Sequence, residues 1–377
     1  MARAEVPQLT ILRGAAALAI VVFHAFAQYK GLRGWPDGGA PPFLNHFWIA
    51  VDLFFVLSGF LIAGPWLNHP ALVRKAWRWG IYLRRRAVRI VPPYYAAVAV
   101  AVAVLAMSAR GLLPPYPDLP PAAGWRDVWS HLLFLHPLHP DTFFSLNPVF
   151  WTLGVEAQFY LALPLLAAAT SLWPRATVAA AAATTLAVRY ATYSPDLALG
   201  LIGFQLPGFT FHFVLGILAA RLMGRQAKVP RWLERTWWLP ATLLVALPLL
   251  LLPPGATAQA TESRLAHVLV RPLVAMGFAL AVFFLARRPV PDRAGPGLAG
   301  GVWLGRISYS LYLIHIPVLM VAHGLVGLPF WAYLLVGTGL CLAASALFFW
   351  AVERPCLRLL ATGWPRDPEN PRPVPTS

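Results

Sequence analysis

Acidic side chains are scarce in this chain. Its 377 residues hold 14 Asp and Glu against 30 Lys and Arg, a formal net charge of +16. Lysine is nearly missing too, since 27 of those 30 basic residues are arginine. Only two cysteines occur, Cys341 and Cys356, so there is no disulfide framework and no thiolate set for zinc. His131, His136 and His139 are spaced like metal ligands but have no thiolate nearby, and no metal is expected there. The sequence also lacks a Gly-rich phosphate loop, a His-Glu-x-x-His helix and a Gly-x-Ser-x-Gly elbow. Ser58, in Leu-Ser-Gly-Phe, is missing the first glycine of such an elbow.

What the chain has is apolar length. It is 59% hydrophobic and 12% charged, with a mean hydropathy of +0.63. That composition predicts an all-α, polytopic integral membrane protein. Ten apolar runs of about 20 residues are candidate spans: 9–28, 47–67, 88–107, 149–172, 176–193, 203–222, 237–253, 267–286, 302–323 and 330–352. The run 176–193 is short and rich in Ala and Thr, and Pro248 interrupts 237–253. Arg3 and Ala25-Phe26-Ala27 superficially fit a cleavable signal, but the first run is long enough to span.

The basic residues fall between the runs rather than in one domain, which argues for membrane topology over nucleic-acid binding. With the N-terminus inside, 23 Lys and Arg lie on the cytoplasmic side and 7 outside. That asymmetry predicts ten spans with both termini cytoplasmic. Residues 1–362 read as one transmembrane domain, and the Pro-rich tail 363–377 as disordered. The long outer connection, about 108–148, reads as a lid or binding loop.

Ionisable residues inside apolar runs are costly and are functional candidates by default. Arg13 and His24 lie eleven residues apart in the first run. About three helical turns separate them, so they share a face with His24 roughly 16 Å deeper. Asp52, Glu156 and His315, on three other runs, fall at depths like that of His24, which predicts one shared polar cavity. His315 continues a stripe with Ser308 and Tyr312, which either lines a cavity or joins two helices. Arg84, Arg85, Arg86 and Arg89 crowd the mouth of the third run, more charge than orientation needs. Arginine forks suit phosphate, so a phosphorylated cytosolic ligand is expected. His212 has no partner suggested by the sequence and reads as structural.

Six motifs recur in a fixed order. They are Leu9-Thr-Ile-Leu-Arg13-Gly with ten residues before His24, Val51-Asp52-Leu-Phe-Phe-Val-Leu-Ser58-Gly59-Phe60, and Tyr82-Leu83-x-Arg85-Arg86-x-x-Arg89-Ile90-x-Pro92. Then come Trp151-Thr-Leu-x-x-Glu156-x-Gln158-Phe159-Tyr160, Ile307-Ser308-Tyr309-Ser310-Leu-Tyr312-Leu-Ile-His315, and Glu353-Arg354-Pro355. Together they resemble the acyltransferase-3 family of integral-membrane O-acyltransferases, which includes bacterial surface-polysaccharide acetylases and macrolide acyltransferases. The match runs over about residues 7–355. Thr10 and Thr152 depart from the usual aspartate-like residue and serine.

The resemblance implies ten transmembrane helices in a bacterial plasma membrane and acyl-CoA, most simply acetyl-CoA, as the cytosolic donor. It makes His24 essential, with Arg13, Arg85, Arg86 and Arg89 handling the donor. Ser308 and Tyr312 join that donor set. In the working mechanism His24 is the general base on an acceptor hydroxyl and Asp52 orients it, with Glu156 and His315 in the same catalytic group. The acceptor is a carbohydrate or hydroxylated metabolite entering from outside. The rival reading is a proton-coupled exporter, because intramembrane His, Asp and Glu also build proton relays.

Overall fold

The computed structural model describes residues 6–33, 42–113, 123–194, 197–250, 252, 263–289, 295–322 and 327–362. The tail 363–377 and the middle of the outer connection, 114–122, lie outside them. Among the described residues there are helices and no strand. The main ones are α1 (Pro7–Arg33), α2 (Ala50–Ile62), α3 (Ala76–Ala109), α4 (Trp125–Leu132), α5 (Trp151–Leu172), α6 (Pro174–Ala191) and α7 (Leu206–Gly224). They continue with α8 (Trp238–Leu249), α9 (Arg264–Arg287), α10 (Pro296–Arg306), α11 (Ser308–Val321), α12 (Phe330–Phe348) and α13 (Arg354–Thr362). Helix is the expected answer for an apolar chain in lipid, because it satisfies every backbone group within its own segment.

The described residues of all ten expected runs are mostly helical. Among the described residues seven helices are long and apolar enough to cross a membrane, and the pair α10–α11, bent by 68°, makes an eighth when taken as one span. The expected spans 176–193 and 237–253 are α6 and α8, which do not meet that measure. Repeated alanine, threonine and two arginines dilute α6, and α8 has only 12 residues.

Small residues let the helices touch backbone to backbone, as membrane bundles require. A Cβ on Gly59 of α2 would strike the Phe213 carbonyl of α7, and one on Gly216 would strike that of Val56. Gly14 of α1 and Gly305 of α10 make a second such contact, Gly305 lying against the Thr10 backbone. Around these crossings a core of aromatic rings fills the bundle, including Phe55, Phe159, Phe209 and Phe213.

Proline interrupts α3, α5, α9 and α11 internally. Each interior proline removes an N–H and strands the carbonyl four residues earlier. In α11, Pro317 strands the carbonyl of Leu313. The side-chain amide of buried Asn147 donates to it at 3.2 Å. A neighbouring segment thereby restores the missing bond, as a spanning helix needs.

Asn147 belongs to the outer connection, and the described part of that connection packs into the bundle rather than forming an open lid. Tyr95 of α3 donates to the Leu132 carbonyl at 2.7 Å. Gln205 donates to the Pro137 carbonyl at 2.7 Å, and Pro137 fills the space beside Gly154 of α5. Gln158 of α5 accepts from the Leu206 backbone N–H at 2.9 Å and so caps α7. His131 and His136 stack with ring centroids 4.1 Å apart. Both are fully buried, and each donates to a main-chain carbonyl, His131 to Asp127 and His136 to Phe150.

Burial pushes the His131 imidazole down from 6.5 to about 4, and His136 is lowered for the same reason. A histidine with a depressed folded-state pKa is neutral in the fold and takes a proton once exposed. Its contribution is therefore complete above pH 6.5 and is lost as pH falls from there toward 4. Acidification to about pH 5 should weaken this segment by about 2 kcal/mol from His131 alone. Hydrogen exchange at residues 131–136 should accelerate accordingly, after correction for intrinsic rates. Unchanged protection between pH 7.5 and pH 5 would contradict this reading.

Candidate active site

Arg13, Arg86, Arg89, Ser58, Glu156, Ser308 and Tyr312 line one cavity of about 370 Å³. They come from α1, α2, α3, α5 and α11, which converge where α10 bends into α11. Of the four arginines expected to handle a donor, three line the cavity and Arg85 does not. Arg86 and Arg89 are three residues apart on α3, so they share its inward face.

The bend itself supplies part of the wall. Gly305, in the last turn of α10, has a carbonyl outside the regular helix. Arg13 donates to it at 2.7 Å, and Ser308 donates to it at 2.7 Å from the other side. A cation at a helix C-terminus complements its dipole. The N-terminus of α11, beginning at Ser308, faces the cavity with the opposite, positive end. Glu156 accepts from Ser58 at 2.9 Å inside the same space. Glu353, placed by a π-helical turn at Phe349–Glu353, is buried and accepts from Ser310 at 2.6 Å. Its charged neighbours are Arg89 and Arg13. The two carboxylates partly balance three guanidiniums.

His24 does not line this cavity. It sits three turns further along α1, beside His315, with ring centroids 5.1 Å apart. Tyr312 connects the two places: it lines the cavity, and its ring lies 6.0 Å from that of His315. The Tyr312 hydroxyl is fixed by the Val149 carbonyl at 3.0 Å and by Thr152 at 2.6 Å. The stripe through Ser308, Tyr312 and His315 therefore both lines a cavity and joins helices.

The hydrogen bonds decide which imidazole nitrogen is free. Carbonyl oxygens only accept, so a ring nitrogen bonded to one must carry the proton. His24 Nδ1 lies 2.9 Å from the Ile20 carbonyl. His315 Nδ1 lies 3.0 Å and 2.9 Å from the carbonyls of Leu311 and Tyr312. Both rings are thus Nδ1–H tautomers. His315 Nε2 keeps a lone pair and faces His24 Nδ1–H at 3.2 Å. His24 Nε2 keeps a lone pair with no hydrogen-bond partner among the described residues.

Two expectations need correcting. Asp52 does not orient His24. Its carboxylate accepts from His212 Nε2 at 2.8 Å, and Arg271 Nη1 donates to both of its oxygens, at 3.0 and 2.9 Å. All three groups are at most 2% exposed at their side chains. Nor do the four titratable groups share one cavity. His24 and His315 pair, Glu156 lies with the arginines, and Asp52 belongs to a separate ion cluster. Depth along each helix gave their heights but not the direction in which each side chain points.

His212 has a partner after all, and Arg271 was overlooked. Arg271 sits inside the run 267–286, where an ionisable residue is a signal by itself. Removing the Asp52 carboxylate would leave that guanidinium buried and uncompensated. Asp52→Ala should therefore cost about 3–5 kcal/mol of stability, read as a lowered unfolding midpoint of the purified protein in detergent. An unchanged midpoint would show that the cluster is not a structural ion pair.

The chain is similar to known proteins along most of its length. A family model described as an acyltransferase domain matches residues 6–350. Acyltransferase MdmB of Streptomyces mycarofaciens is 26% identical over 94% of this chain and 92% of its own length. Nodulation protein 10 of Rhizobium leguminosarum bv. viciae is 25% identical over 93% of this chain and 92% of its own. The putative peptidoglycan O-acetyltransferase YrhL of Bacillus subtilis is 25% identical over 93% of this chain, but the match covers 54% of YrhL. No solved structure matches the chain.

Proposed function

The chain belongs to the acyltransferase-domain family and is a multi-pass membrane O-acyltransferase, and from that premise we propose that acyl-CoA is its donor and His24 its general base. The acyl group is most simply acetyl, and the acceptor is a hydroxyl of a saccharide or secreted metabolite at the bacterial plasma membrane. The observation that carries this reading is the unpartnered Nε2 lone pair of His24, about 16 Å along α1 from the cavity-lining Arg13.

Each part has a physical task. Arg13, Arg86 and Arg89, aided by the N-terminus of α11, take the donor phosphates. The long pantetheine arm passes Tyr312 toward the histidine pair. His24 Nε2 removes the acceptor's hydroxyl proton as its oxygen bonds to the thioester carbonyl carbon. The carbon–sulfur bond then breaks, and the imidazolium returns its proton to the departing thiolate. While His24 is charged, its Nδ1–H is shared between the Ile20 carbonyl and the His315 Nε2 lone pair. His315 thus occupies the place expected of Asp52, as a neutral acceptor rather than a carboxylate.

Glu156 and Ser58 border the donor space, where they fix the adjoining arginine rather than touch the reacting atoms. Outer-side entry of the acceptor accords with the depth of His24 in α1.

His24→Ala should lower transfer from labelled acetyl-CoA about 10²–10⁴-fold while the protein stays folded in the membrane. Wild-type turnover by that variant would sink the general-base role. Arg86→Ala combined with Arg89→Ala should weaken CoA binding at least tenfold, since hydrogen bonds to charged groups contribute about 1.5–3 kcal/mol each. A thermal-shift titration with CoA measures this, and an unaltered apparent affinity would refute the phosphate assignment.

A further inference from the structure

The topology read from the sequence leaves seven basic residues on the outer side, against the usual inward bias. Two of them, Arg189 of α6 and Arg271 of α9, meet in the bundle. They are 3% and 1% exposed. The charged groups within reach of Arg189 are Arg271 and Asp52. Two guanidiniums therefore share one carboxylate, and Asp52 is already committed to both His212 and Arg271.

Arg189 is held but not satisfied. Its Nε donates to the His267 carbonyl at 2.9 Å. Its terminal nitrogens have no acceptor among the described residues. In the same cluster the Nε of Arg271 and the Nδ1 of His212, and against Arg271 the indole N–H of Trp48, are buried without partners. The surplus is one positive charge with several unpaired donors and one unpaired acceptor, in a place where each is expensive. An anionic group that also carries hydroxyls would satisfy this set.

The cluster adjoins the proposed base through aromatic rings. The Arg271 guanidinium lies 4.5 Å from the Trp48 ring centroid. Trp48 and Phe23 pack in one apolar group, and the Phe23 ring lies 4.9 Å from that of His24. Rings between a buried cation and a general base suit the faces of a sugar. The assembly meets α1 at Phe23, ten residues beyond Arg13.

We propose that Arg189, with Arg271 and Trp48, forms the acceptor subsite and selects an acidic acceptor, one bearing a carboxylate or phosphate near the hydroxyl to be acylated. This rests on the transferase reading and adds the charge class of the acceptor. The two guanidiniums take the anionic group, Trp48 stacks on the saccharide, and the hydroxyl is presented past Phe23 to His24.

The test uses the purified full-length chain in detergent, with unfolding followed by tryptophan fluorescence at constant ionic strength. Sodium glucuronate, inorganic phosphate and glucose are titrated separately. A site ligand raises the midpoint saturably, whereas general salt effects do not saturate. Glucuronate or phosphate should give a saturable rise and glucose none. A rise with glucuronate alone identifies a carboxylate, and one with phosphate alone a phosphate group. Arg189→Gln should abolish the rise, and Arg189→Lys, which keeps the charge, should restore most of it. If no anion gives a saturable rise, or if Arg189→Gln responds like wild type, the proposal is overturned and the cluster is a hydrated structural one. CoA titrated into the wild-type protein in parallel reports on the donor reading separately.

Discussion

The bond from Arg13 to the Gly305 carbonyl sets the register on which the candidate site depends. It pins α1 to the junction of α10 and α11 at one height. From that point α1 and α11 run on side by side, and His24 lies eleven residues beyond Arg13 while His315 lies ten beyond Gly305. The two imidazoles meet because two helices of equal rise start from a common point. The close contact of Gly14 and Gly305 makes that start possible, since a side chain at either position would force the helices apart.

Backbone accounting explains why polar side chains gather here. A sharp bend and an interior proline each leave a carbonyl without its helical partner, and lipid offers no water in exchange. Arg13 and Ser308 meet the first need, and Asn147 meets the second. The same side chains that repair the helices shape the cavity and seat the histidine pair. Few acids are needed for this, and in the bundle each has a definite position: Asp52 against Arg271, Glu156 against Ser58, Glu353 against Ser310.

Much of this was legible in the sequence, and the omissions have physical causes. Long apolar runs located the helices that build the bundle, because hydropathy measures what lipid selects, but not the short polar helices α4 and α13. The helical spacing of Arg13 and His24 set the two at different depths of α1, and in the structure Arg13 lines the cavity while His24 does not. Asp52 was misassigned because rise per residue fixes height and says nothing of azimuth across ten separate helices. Arg271 was counted as a topological charge, although its place within an apolar run marked it as buried. The role of Asn147 depends on the missing N–H of Pro317, 170 residues later, and no local pattern links them.

The stretch between Arg13 and His24 acts as a ruler. What it stores is a length: beyond Gly14, where α10 leaves no room for a side chain, the identities of its residues are secondary as long as they remain helical and apolar. One residue added or removed there would swing His24 by about 100° around the helix axis and carry its free nitrogen away from the site, although every side chain named here would still be present. Apolar substitutions in that interval after Gly14 should be forgiven far more readily than any change in its count, so this part of the helix is encoded by number more than by composition.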